Sequence, residues 1–77
     1  MEFFIEDIIA HVGHKSKPTH MRFHVNWLNY ESIHNTWEPW SSLRTTDQLH
    51  KYLRDDNMHN IIPKQFRDLE LNNTEVP

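Results

Sequence analysis

The sequence predicts an α+β fold: a small three-stranded antiparallel β-sheet packed against a C-terminal α-helix. Three observations carry that expectation. MRFHVNWL, Met21–Leu28, alternates, with Met21, Phe23, Val25 and Trp27 pointing one way and Arg22, His24 and Asn26 the other. In DQLHKYLRD, Leu49, Tyr52 and Leu53 stand at i, i+3 and i+4 and form one apolar helical face. The order is strand, strand, strand, helix, and the connections are short.

The elements follow in order. FFIEDIIAHV, Phe3–Val12, is rich in β-branched and aromatic residues and predicts the first strand. Ile5 and Ile8 cannot share a face of a regular strand, so it contains either a bulge near Glu6-Asp7 or a separate arm before the strand proper. GHKSKPTH, Gly13–His20, is a loop by its Gly, Ser and Pro content. After the second strand, NYESIHN is a turn. TWEPW is a short third strand stopped by Pro39, which cannot donate to a ladder. Thr46-Asp47 offers an N-cap and a first-turn acid to the helix. That helix is about two turns long and melts unless it docks on the sheet. NMHNIIPKQF adds one more turn ending at Pro63. The expected module covers 1–66, and 67–77 is a polar, flexible tail.

Composition narrows the function. The 77 residues allow one domain with a modest core. Without Cys there is neither a disulfide framework nor a thiolate metal site. No apolar run approaches the roughly 18–20 residues that span a bilayer, so no membrane partner is expected. The net charge is −3, and the eight basic residues are scattered rather than gathered in a stripe. Nucleic acid is therefore a weak expectation, and a basic partner suits the surface better.

All three tryptophans and one of the two tyrosines fall within VNWLNYESIHNTWEPW, Val25–Trp40. Trp37, mid-strand between Thr36 and Glu38, is expected in the core with Phe23 and Val25. Trp40 is expected to cover the base of the helix. Trp27 and Tyr30 are three apart and would face opposite sides of one continuous strand. If the strand ends near Leu28 and the chain turns at Asn29, both rings lean over one spot, with Phe3 as a third wall. Rings around an open space at a sheet edge are the geometry that receives a cation; the competing reading is an ordinary hydrophobic cluster.

FFIEDII, RFHVNWLNY, NTWEPWSSL and LHKYL together resemble the chromodomain, over roughly Phe3 to Leu53. DNMHNIIPKQF, with EPW in place of EPE, looks more like the chromodomains at the integrase ends of gypsy-class retrotransposons than the heterochromatin-protein type. The resemblance implies three antiparallel strands with a helix packed across them. It also implies a nuclear chromatin reader, monomeric in isolation and without a cofactor, that binds a methylated lysine on the tail of histone three. The family's cage aromatics fall on Phe3, Trp27 and Tyr30, and Ile5, Trp37 and Leu43 fall on core positions. The peptide-binding groove falls on Phe4, Ile5, His34, Glu38 and Ser42, with the peptide added as a β-strand. Three positions depart from the pattern: His34 stands where an acid is often found, Ser42 replaces an Asn that bonds the peptide, and the first cage ring is Phe rather than Tyr. The arm starts two residues after Met1, so a short clasp is expected.

Other readings carry less. His11 with His14, or His20 with His24, have metal-like spacing, but strand residues at i and i+4 sit ~13 Å apart. No Cys or acid completes a tetrahedral set, so no metal site is expected. No nucleophile–base constellation or phosphate loop is present, and Asp55-Asp56 looks like a solvated helix end, so no enzyme is expected. The serious competitor is a protein- or nucleic-acid-interaction module with the same fold and no methyl-lysine recognition.

Overall fold

The computed structural model describes residues 3–67; of the tail expected over 67–77, all but Arg67 lies outside them. Strands β1 (Ile5–Val12), β2 (Arg22–Trp27) and β3 (Thr36–Pro39) form one antiparallel sheet in the order β1-β2-β3. Helices α1 (Trp40–Leu43) and α2 (Asp47–Asp55) follow the sheet. Short 3-10 turns at Pro18–His20, Ser32–His34 and His59–Ile61 shape the connections. The turn at His59–Ile61 agrees with the extra turn expected before Pro63, whereas α1 was not anticipated. His20 closes a 3-10 turn and does not belong to β2.

Both devices allowed for the first segment are present. Phe3 and Phe4 precede the strand as an arm, and the register shifts between Ile5 and Asp7. The shift makes Glu6 an extra residue and turns Ile5 to the side of Ile8, where Ile8 is buried and Ile5 packs against the core. A second shift, between Ile8 and Ala10, leaves Ile9 exposed and was not expected. Gly13 follows β1 with φ +94°. A Cβ there would stand 3.1 Å from the Met21 Cα and 3.3 Å from the His20 carbonyl oxygen, so the connection to β2 requires glycine.

The inward face of β2 supplies Phe23 and Val25 to a core shared with Ile8, Met21, Leu43, Leu49, Leu53, Met58, Ile61 and Ile62. Each such side chain contributes about 1.5–3 kcal/mol relative to exposure. Leu43 is core as expected, but Trp37 is not: it is 43% exposed. The register pairs Trp37 with His24, on the outward face of β2, and the two rings stack at 4.5 Å with planes 4° apart. Trp40 is half-buried against the core, and the Arg44 guanidinium lies 5.9 Å from its ring centre.

Helix α2 is tied to its surroundings by polar contacts as well as by Leu49 and Leu53. The Thr46 hydroxyl oxygen accepts from the Leu49 N–H at 3.3 Å as the N-cap. Gln48 Nε2 donates to the Ile5 carbonyl at 3.1 Å, joining the helix to the start of β1. His50 is buried, and its Nε2 donates to the Arg44 carbonyl at 2.7 Å. At the far end, His11 Nδ1 lies 2.8 Å from the Tyr52 hydroxyl and 4.0 Å from Asp56 Oδ2. Burial, with the hydrogen bond to Asp56 and its negative charge, pushes the Tyr52 phenol from 10.0 up to about 12.

Two outcomes follow. Thr46→Ala should lower the unfolding free energy by about 1 kcal/mol in urea titration, through loss of the cap. Because the folded state raises the Tyr52 pKa, its contribution is complete below pH 10.0 and is lost as pH rises through about 12. Stability measured across that window should fall more steeply for the parent protein than for Tyr52→Phe.

Candidate functional site

The end of the sheet where β2 stops carries an open cavity of about 320 Å³, lined by Phe3, Trp27, Tyr30, His34, Thr36 and Glu38. Four local features of the chain assemble it. Asn29 takes φ 67°, a left-handed conformation that Asn tolerates better than most side chains. That residue lets the Tyr30 N–H reach back to the Trp27 carbonyl at 3.1 Å. The tight turn brings two rings to one side that a continuous strand would separate. The 3-10 turn Ser32–His34 then returns the chain to β3 and sets the His34 ring edge-on to Tyr30, 5.9 Å between centres.

The arm supplies the third ring. The Leu28 N–H donates to the Phe4 carbonyl at 2.8 Å, continuing the ladder one step beyond the Ile5–Trp27 pair. The bulge behind the arm is held by Asn26 Nδ2 donating to Glu6 Oε2 at 2.8 Å. With its backbone so placed, Phe3 meets Trp27 edge-on at 6.1 Å and Tyr30 at 5.7 Å with a 41° tilt. These are ordinary aromatic contact geometries. Phe3 and Tyr30 remain 57% and 40% exposed, whereas Trp27 also packs against the core.

The fourth side of the cavity is polar. Thr36 and Glu38 are two apart on β3 and share its inward face, beyond the edge of the apolar core. Trp27 Nε1–H donates to Thr36 Oγ1 at 2.9 Å, and the Thr36 hydroxyl donates to Glu38 Oε2 at 2.9 Å. The indole, the hydroxyl and the carboxylate therefore orient one another. Glu38 is the one acidic side chain among the described residues that line the space.

Of the residues singled out from the sequence, Phe3, Trp27, Tyr30, His34 and Glu38 meet around this cavity. Phe4, Ile5 and Ser42 do not line it: Phe4 is exposed on the arm, Ile5 packs toward the core, and Ser42 is exposed on α1. Thr36 was not named as a site residue. Its place two residues before Glu38 puts both on one strand face, but its contact with Trp27 depends on the β2–β3 register.

The Chromo (CHRromatin Organisation MOdifier) domain model matches residues 3–55. No curated protein and no solved structure matches the chain. The matched span runs from the first ring of the cavity to the last residue of α2. It thus takes in the arm, the three strands and the docked helix. The chain belongs to the Chromo domain family, a family of chromatin-associated protein-interaction modules.

Proposed function

We propose that this module binds a methylated lysine on the tail of histone three, with Phe3, Trp27 and Tyr30 as the cage. The observation that carries the reading is the open ring-walled cavity of about 320 Å³ at the end of the sheet. Methylation keeps the ammonium charge and replaces N–H donors with methyl groups. The larger head is easier to desolvate, and each ring face attracts it by about 0.5–1 kcal/mol when exposed and ~2 when dry. Unmodified lysine would lose hydration with too few acceptors in return.

The peptide backbone runs as an added strand between the arm at Phe4-Ile5 and the segment from Glu38 to Ser42, past His34. Main-chain hydrogen bonds then supply affinity, and side-chain pockets supply selectivity. Ordering the arm and the peptide costs entropy, so binding is expected in the micromolar class. At the end of a gypsy-class integrase, as DNMHNIIPKQF and EPW suggest, the module would direct integration to marked chromatin in the nucleus.

Titration with methylated and unmethylated histone three peptides tests the reading. The methylated forms should bind more tightly, and Trp27→Ala and Tyr30→Ala should each weaken them roughly tenfold or more. The amide spectrum of the sheet should be retained, most surely for the exposed Tyr30. Equal affinity for modified and plain peptides would leave only a general interaction module.

A further inference from the structure

We infer that Glu38 is the charge partner of the bound ammonium and makes the cavity select dimethyl-lysine over trimethyl-lysine, with Thr36 as the positioning residue. This rests on the methyl-lysine reading above and adds a selectivity to it.

A space of about 320 Å³ open to solvent excludes no methylation state by size. Discrimination must come from the chemistry of the lining. Three rings attract any methylated ammonium and gain with each methyl group. Glu38 adds a carboxylate on the remaining side, and His34, which also lines the space, packs T-shaped against Tyr30 and carries no fixed negative charge.

The carboxylate is held in place. Glu38 Oε2 already accepts from the Thr36 hydroxyl, which in turn accepts from the Trp27 indole N–H. A carboxylate offers about four acceptor positions, so accepting from Thr36 leaves capacity for a ligand. Dimethyl-lysine keeps one N–H and can donate a charge-assisted hydrogen bond while both methyls face the rings. Trimethyl-lysine has no N–H and meets the same carboxylate by charge alone. Monomethyl-lysine keeps two donors but offers the rings less and retains more hydration. The order of affinity is then dimethyl, followed by trimethyl and monomethyl, with unmodified lysine weakest.

Thr36 acts on the ligand only through its neighbours. Removing its hydroxyl leaves the indole N–H without its acceptor and frees the Glu38 carboxylate to rotate away. Its loss should therefore change the ratio between methylation states rather than affinity alone.

The test uses Nα-acetylated, amidated lysine in its unmodified, mono-, di- and trimethyl forms, which removes the peptide main chain from the comparison. Binding to the whole chain is followed by the Trp27 indole N–H resonance. Dimethyl-lysine should bind roughly fivefold to tenfold more tightly than trimethyl-lysine. Glu38→Gln should bring the two within about twofold, and Thr36→Val should lower the ratio in the same direction. Retained amide spectra would confirm that both variants fold. Trimethyl-lysine binding as tightly as dimethyl-lysine, or a ratio unmoved by Glu38→Gln, would overturn the role of Glu38 while leaving methyl-lysine binding intact. If no methylated form binds better than plain lysine, the underlying reading fails, and this inference fails with it.

Discussion

Pairing of Trp27 with Ile5 on one side of β2, and of His24 with Trp37 on the other, governs which side chains face the interior. The period of a strand is two, so a slip of one residue on either edge would exchange the two faces. In the observed register, Phe23 and Val25 enter the core, and Thr36 and Glu38 share their face just beyond it. Trp37 is left outside, stacked on His24. Core and cavity are thus two regions of one sheet face, separated by where the apolar residues stop.

Trp27 stands at the boundary between them. Its ring packs partly against the core and partly against Phe3, and its indole N–H is held by Thr36. A ring fixed on three sides would lose little freedom to a ligand bound as proposed, so more of the attraction would appear as affinity. Phe3 is held differently. Its arm relies on the Leu28–Phe4 hydrogen bond, and the strand behind it relies on Gln48 reaching the Ile5 carbonyl from α2. Docking of the helix therefore supports the site from behind, although no side chain of α2 lines it.

Much of this architecture was legible in the residues. The alternation of β2, the apolar face of α2 and the Thr46 cap each express a local rule that the packed structure also satisfies. The bulge near Glu6 was legible because Ile5 and Ile8 both needed the interior. The position of Trp37 was not, because its side depends on pairing with His24, a non-local contact invisible to local pattern. The short helix from Trp40 to Leu43 lacks a capping side chain and is too brief for periodicity to reveal. Within the cavity, ring spacing and the turn at Asn29 pointed to Phe3, Trp27 and Tyr30 together. The chain from Trp27 through Thr36 to Glu38 needed the β2–β3 register and escaped notice.

The two bulges of β1 and the brevity of β3 bear on self-association. An edge strand with a regular row of unpaired N–H and C=O groups invites another copy to pair with it. In β1 the row is interrupted at Glu6 and Ile9, so a straight partner loses register within a few residues. In β3 it is four residues long and ends in Pro39, which offers no amide hydrogen. A sheet with both of its edges so interrupted resists stacking into fibrils of its own kind.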